Sequence, residues 1–314
     1  MDAISTDGLT KQFTTGFWRP RPYVALDALT LQVGRGEIFG FLGPNGAGKT
    51  TTLKLLMQLI FPTSGHATIL GRPLGDVAAR RRIGYLPENP YFYDNLTAEE
   101  LLEYFARLFG YGSADRRQRV DRVLDEVGIG AERRFQLRKY SKGMIQRIGI
   151  AQALLNDPEL VFLDEPMSGL DPIGRRDVRD LILRLRDRGT TVFFSSHILG
   201  DAETLCSRVA IIAAGRLVAC GNLAEMVPFR LRGWDLVVSN LPAAAVRDLE
   251  ARGGTATRIS DDRYHLVLPP DITADQAIAG IAAGGGRLLS LNPVRDTLED
   301  FFVAQVATQS RQRD

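Results

Sequence analysis

The chain has 314 residues, 45% of them apolar and 24% charged, the make-up of an ordinary globular protein and not of a disordered or fibrous one. Its 39 basic and 37 acidic side chains leave a net charge of +2, which argues against a protein that holds nucleic acid through bulk charge. No apolar run approaches the roughly 18 residues of a membrane span, and the opening "MDAISTDGLTK" carries no basic-then-apolar leader. The two cysteines, Cys206 and Cys220, have no partners at metal-ligand spacing. The expectation is a cytoplasmic chain with two buried thiols, in which any membrane role is borrowed from a partner.

In chain order, "GEIFGFLGPNGAGKTTTLKLLMQLI" reads as a buried strand (Ile38–Leu42), a glycine-rich turn and a helix from Lys49 to Ile60, closed by Pro62 and Gly65. A second strand, Ile83–Leu86, ends at Pro87. The middle then turns helical. Thr97 with Glu100 makes a capping box, and Leu101, Phe105 and Leu108 fall on one face of the helix that follows. Val120, Val123, Leu124 and Val127 recur at helical spacing. Residues 90–158 thus read as a helical insertion in an α/β domain. After it come the run "ELVFLD", a helix through Val178, Leu181, Ile182 and Leu185, the strand "TVFFSS" and a hairpin, "RVAIIAAGRLVACG". Alternating strands and helices predict a largely parallel sheet.

Around Met226–Arg232 the pattern resets. The tail reads strand (234–239), helix (243–252), two strands around Asp261–Asp262, helix (273–283), strand (287–291) and a last helix from Asp296. That β-α-β-β-α-β order fits a small α+β, ferredoxin-like module. The expected division is therefore 1–227 and 228–314.

The chemistry concentrates in three places. Gly43-Pro44-Asn45-Gly46-Ala47-Gly48-Lys49-Thr50, followed by Thr51, satisfies G-x-x-x-x-G-K-[ST] between a strand and a helix. Backbone N–H groups there point at nucleotide phosphates, aided by helix polarity; Lys49 reaches the terminal phosphates and the Thr50 hydroxyl ligates Mg²⁺. The motif does not by itself separate ATP from GTP, although no asparagine precedes a lysine and the guanine-reading N-K-x-D is absent. In "LVFLDEP", Asp164 and Glu165 end a strand expected beside the phosphate-loop strand. Asp164 is placed to hold Mg²⁺ and Glu165 to polarise the attacking water. Two acids ending a strand are also what a strand leaving the core looks like. Asp171 before Pro172 is fully explained as a helix cap, whereas His197, after "FFSS", sits at a strand end where γ-phosphate contact is the better reading.

A third stretch is unusual. From Arg133 to Arg147 there are six Lys/Arg residues and no acid, around "YSKGM" at the start of a helix. The succession phosphate loop, "YLPE", helical insertion, "YSKGM", "LVFLDEP", "SGLD", "SSH" resembles the ATP-binding subunit of ABC transporters, over residues 4 to about 225. The resemblance implies a head-to-tail dimer, with a second copy or a related ATPase subunit, that sandwiches two Mg-ATP. Ser141, Gly143 and the intervening Lys142 would contact the partner's γ-phosphate and Asp171 would lie in the loop exchanged across the dimer. Glu165 would be the catalytic base, His197 the γ-phosphate sensor, and Phe13 the aromatic under adenine. Trp18 or Tyr23 are alternatives to Phe13, because "TTGFWRPRPYVALD" is longer than a minimal loop.

Three positions depart from the family pattern. The usual L-S-G-G-Q reads Tyr140-Ser141-Lys142-Gly143-Met144 here. Glu88 stands where a glutamine usually touches Mg²⁺ and reports to the membrane subunit, and Gln152 stands where arginine is common. Such departures resemble ATPases paired with ABC-2-type permeases, which implies a motor for a separately encoded exporter, peripheral on the inner face of the membrane, with ATP and Mg²⁺ as cofactors. The competing readings are a soluble ABC-type ATPase acting on a macromolecular complex and a small-molecule P-loop kinase. For the second of these, "YSKGM" and "SGLD" would be superfluous.

Overall fold

The structure, a computed structural model, describes residues 2–16, 20–228 and 230–311. It falls into two compact units, one running to Leu223 with Gln305 onward grouped to it, the other Ala224–Ala304.

The first unit is built on a six-stranded sheet with the spatial order Arg216–Asn222, Arg208–Ala213, Ile38–Leu42, Thr191–Ser196, Leu160–Asp164, Ile83–Leu86. All neighbours are parallel except the first pair. The three central strands have every residue buried. Covered on both faces, they carry unbroken apolar runs instead of alternation. Phe193 sits at the middle, with ring centroids 5.7 Å from Phe39, 5.4 Å from Phe41 and 5.6 Å from Phe162.

One expectation is corrected here. The strand ending in Asp164 is not beside the phosphate-loop strand, because Thr191–Ser196 lies between them. Sequence order carries no information about which parallel strand is inserted between two others. Small hydroxyl side chains at the end of the intervening strand keep the gap bridgeable, as the site shows below.

A second, four-stranded antiparallel sheet runs Arg21–Val33, Ile4–Thr15, Ser64–Ile69, Arg72–Pro73. It was not anticipated. Its first two strands are broken by register shifts between Thr6 and Gln12, so apolar and polar residues do not alternate cleanly. Its inner residues Ile4, Leu9, Leu26 and Leu29 nevertheless join the same core as Phe39, Phe41 and Phe162.

The helical middle holds Ala98–Leu108, Ser113–Glu126 and Lys142–Leu154. Thr97 and Glu100 form the reciprocal capping box. The buried face of the first helix is Ala98, Leu101, Leu102 and Ala106, while Leu108, expected inside, is 67% exposed at the helix end. The helix after the phosphate loop stops at Leu56, short of Ile60, because the chain turns at Gln58 with φ 54°. Cys206 is buried, but Cys220 is exposed on the edge strand, contrary to the expectation of two buried thiols.

The second unit is β-α-β-β-α-β, with strands Leu231–Ser239, Thr255–Ser260, Arg263–Leu268 and Arg287–Arg295, and helices Ala243–Ala251 and Ala274–Ala283. The strand order is Thr255–Ser260, Arg263–Leu268, Leu231–Ser239, Arg287–Arg295, antiparallel throughout. This is the ferredoxin-like arrangement. Leu236, Val238, Leu266 and Leu268 of the sheet pack with Val246, Leu249, Ala277 and Ile281 of the two helices. The Trp234 indole N–H donates to the Ile272 carbonyl at 2.8 Å, which satisfies its one polar atom. The last helix, Leu298–Arg311, starts two residues later than expected, after the Thr297 hydroxyl has accepted the Asp300 N–H. Among the described residues no helix is long and apolar enough to cross a membrane.

Candidate functional site: a nucleotide cleft on the phosphate loop

The phosphate loop leaves the buried strand at Leu42 and enters its helix through Gly48, whose φ of 107° excludes other residues without strain. The loop is anchored from below: Gly43 N–H donates to the Ser196 carbonyl at 3.2 Å and Ala47 is buried against the core. Asn45, Gly46, Gly48, Lys49, Thr50 and Thr51 line a cleft of about 320 Å³, and Gly43, Pro44 and Ala47 of the loop do not line it. Lys49 is 6% exposed and folds back on its own loop, donating to the Gly43 carbonyl at 2.7 Å and the Pro44 carbonyl at 3.2 Å.

The far wall is aromatic. Phe13 and Tyr23 are cross-strand partners in the N-terminal hairpin, and both line the cleft. The Lys11 ammonium lies 5.0 Å from the Phe13 ring centroid, a cation–π contact on that ring. Trp18, the third candidate for the base, lies outside the described residues.

Of the acidic pair, Glu165 lines the cleft, as does Glu88, while Asp164 is buried behind the lining. Asp164 is fully buried; its Oδ1 accepts the Ser195 hydroxyl at 2.6 Å and its Oδ2 has no hydrogen-bond partner. Burial pushes its carboxyl above the usual range, the Ser195 bond and the nearby Thr50 hydroxyl pull the other way, and Glu88 and Glu165 push it further up. Tyr85, behind it, is pushed up to about 12, by burial first and then by Asp164 and Glu88. A buried carboxylate oxygen left without a donor, beside a threonine hydroxyl, is the donor set of a Mg²⁺ that keeps waters and phosphate oxygens as its other ligands. The residues fit the ion.

Glu165 is held hard. Its backbone adopts φ 49°, a left-handed conformation uncommon for a side-chain-bearing residue. Its N–H donates to Ser195 Oγ at 3.0 Å, so one serine on the intervening strand fixes both acids. Its Oε2 lies 2.8 Å from His197 Nδ1 and its Oε1 3.2 Å from Lys49 Nζ. The side chain is 7% exposed and faces the cleft. Ser195 escaped sequence reading; the only signal was a pair of small hydroxyl residues ending an otherwise apolar strand.

Ser141, Lys142, Gly143 and Asp171 do not line this cleft; they gather in a second patch of the same unit. Ser141 caps its helix, accepting the Met144 N–H at 3.3 Å. Asp171 caps the helix Pro172–Asp187, accepting the Gly174 N–H at 2.7 Å. Lys142 lays its side chain over Gly169: a methyl built on Gly169 would lie 3.2 Å from Lys142 Cε and collide with its ammonium. The same methyl would sit on a backbone with φ 66°. Gly169→Ala is therefore expected to displace Lys142 and to cost about 1–2 kcal/mol from the left-handed backbone. Thermal denaturation checks this, with a fall of about 2–8 °C expected for a unit of this size.

The basic stretch around the signature also resolves. Arg133 binds Glu99 at 3.1 Å and Asp121 at 2.5 Å, and Arg147 donates to the Val127 and Gly128 carbonyls at 3.3 and 3.4 Å. Arg138 and Lys139 form no ion pair among the described residues.

A parallel sheet that ends in a phosphate loop, an acidic pair and a histidine defines a P-loop nucleotide-binding protein. The finer placement comes from relatives. Residues 26–168 match the family model described as "ABC transporter". The chain is 44% identical to an uncharacterized ABC transporter ATP-binding protein of Synechocystis sp., covering 97% of this chain and 85% of that protein. It is 43% identical to a fluoroquinolones export ATP-binding protein of Mycobacterium tuberculosis, covering 66% of this chain and 68% of that protein. Among solved structures, a dimeric post-hydrolysis state of the ATP-binding cassette MJ0796 bound to ADP and Pi superposes with a TM-score of 0.63. Identity to it is 26%, over 70% of this chain and 98% of that one. The chain belongs to the ATP-binding subunits of ABC transporters.

Proposed function

We propose that this chain is the ATP-hydrolysing motor of an exporter, docking from the inner face of the membrane on a separately encoded permease and dimerising head-to-tail around two Mg-ATP. The observation that carries the hydrolytic reading is the Glu165 carboxylate, held at the cleft by His197 on one oxygen and Lys49 on the other. Incoming phosphates draw Lys49 away from Glu165 and from the Gly43 and Pro44 carbonyls, because a triphosphate is the stronger partner. That frees one oxygen of Glu165 to orient a water, while His197 keeps the other in place. Thr50, Asp164 and Glu88 would hold Mg²⁺, which supplies charge neutralisation on the phosphates. Phe13 and Tyr23 are the surfaces for the base.

The second patch is assigned to the opposite subunit's nucleotide. Ser141 and Gly143 present a helix N-terminus, Asp171 the exchanged loop, and Lys142, with Arg138 and Lys139, positive potential. Residues 1–227, with the helical subdomain about 90–158, form the motor, and 228–314 a brace for it. Support for the dimer comes from the MJ0796 likeness, and support for export from the named function of the M. tuberculosis relative.

The permease is assigned to an aromatic groove of about 370 Å³ between the strand Ile83–Leu86 and the helical subdomain, walled by Tyr85, Phe92, Phe105 and Phe109. Tyr91 at its rim is 98% exposed and Phe109 41%, so the groove opens to solvent with aromatic surface that a partner can cover. The segment from Tyr85 to Phe92 also carries Glu88, which lines the nucleotide cleft, so one short stretch touches both places. The test is to extract the tagged chain with its membrane in mild detergent and assay ATP turnover without an acceptor. A multi-span membrane protein is expected to co-purify, and Tyr91→Arg with Phe109→Arg to release it while turnover of the isolated chain persists. Recovery of ribosomes or nucleic acid in its place would overturn the transport reading.

A further inference from the structure

Two charged residues outside the motifs join the two loops that the proposed cycle must coordinate. Arg175 lies one helical turn past Asp171, and its N–H donates to the Asp171 carbonyl at 2.9 Å. Asp201 lies four residues past His197, in the first turn of the helix Leu199–Leu205. Arg175 Nη2 donates to Asp201 Oδ2 at 3.1 Å, with the Asp201 side chain 18% exposed. Arg175 Nε is buried and has no hydrogen-bond partner among the described residues, so among them the bond to Asp201 is what orients the guanidinium head.

We infer that Arg175 and Asp201 are positioning residues that set His197, and through it Glu165, according to the state of the Asp171 loop. The link runs partly through contacts and partly through chain: Asp171 caps the helix that carries Arg175, Arg175 holds Asp201, Asp201 lies four residues past His197 with its N–H on the Ile198 carbonyl at 3.3 Å, and His197 Nδ1 meets Glu165 Oε2 at 2.8 Å. Burial pushes the Asp201 carboxyl upward, Arg175 and Arg179 pull against it, and the Glu165 charge adds a smaller upward push. A simpler role, in which Asp201 only complements its helix N-terminus, leaves Arg175 without a function and predicts no coupling to His197.

The inference rests on the hydrolytic reading, and the two fail differently. Wild-type full-length chain that turns over no ATP sinks the function; active wild type with indifferent variants sinks only the pair. The experiment compares Arg175→Met, Asp201→Asn, the charge swap Arg175→Asp with Asp201→Arg, and each single change in a His197→Ala background. Displacing a catalytic group by a fraction of an ångström to an ångström costs about tenfold to a hundredfold in rate. Each single variant should thus lose about tenfold in kcat with KM for ATP moving less than about twofold, and the swap should recover most of it. In His197→Ala the same changes should cost nothing further. Unchanged kcat, equal loss of kcat in the presence and absence of His197, or a kcat loss that tracks a fall in melting temperature and is not recovered by the swap would each overturn it.

Discussion

Glu165→Gln is expected to reduce ATP turnover by about a hundredfold to a thousandfold while ATP binding survives, the loss that removal of a positioned base produces. The substitution keeps shape and changes charge. Gln retains an oxygen to meet His197 and fits the same left-handed backbone, which is no worse for Gln than for Glu. The amide loses attraction for Lys49, now 3.2 Å from the carboxylate, so the ammonium is freer to meet phosphate. It also removes one of the charges that burden buried Asp164. Binding should be unimpaired and only the chemical step should stop. In the proposed dimer that traps two ATP between two chains, visible as a shift to twice the monomer mass by light scattering with Mg-ATP. Turnover equal to wild type would remove Glu165 from the catalytic role, whatever happens to association.

What was legible in the sequence follows from how far each feature depends on local chain. The phosphate loop, its strand and the start of its helix are one contiguous device, and the structure places them together. The capping box at Thr97 and the ferredoxin-like order of the tail are likewise local pattern, and both are present. What could not be read was adjacency. The strand ending at Asp164 looked like a neighbour of the phosphate-loop strand, yet Thr191–Ser196 stands between them and makes Ser195 the residue that ties Asp164 to Glu165. The N-terminal sheet was hidden because register shifts scramble its alternation, and with it the pairing that puts Tyr23 opposite Phe13. Lys142 was legible as an oddity only. Its contact, Gly169, is far along the chain, and a glycine in "SGLD" says nothing of what lies over it.

Asp164→Asn is expected to do two opposite things, stabilising the metal-free chain and abolishing metal-dependent turnover. In the absence of an ion, Asp164 is a carboxyl with no solvent contact and, among the described residues, one oxygen with no hydrogen-bond partner. Such a group is held against its own solvation preference, at a cost of about 1–3 kcal/mol even after partial compensation. An asparagine keeps the Oδ1 that accepts the Ser195 hydroxyl, and it removes the carboxyl that burial, Glu88 and Glu165 all push up. The unfolding midpoint with chelator present should therefore rise by about 2–4 °C, the shift that roughly 1 kcal/mol produces in a domain of this size. With Mg²⁺ and a non-hydrolysable ATP analogue the order should reverse. Ligand that binds only the folded state adds stability in proportion to ln(1 + [L]/Kd), and the variant lacks the carboxylate proposed to hold the ion. Wild type should then overtake the variant, with the crossover moving to lower nucleotide concentration as Mg²⁺ is raised. A destabilised variant in chelator would mean that the orphaned oxygen is not the strain the geometry indicates. A variant that Mg-nucleotide stabilises as strongly as wild type would mean that Asp164 does not hold the metal. Neither result is expected if Asp164 holds the ion as proposed, because its buried second oxygen, near the Thr50 hydroxyl, is then completed by the ion that arrives with the nucleotide.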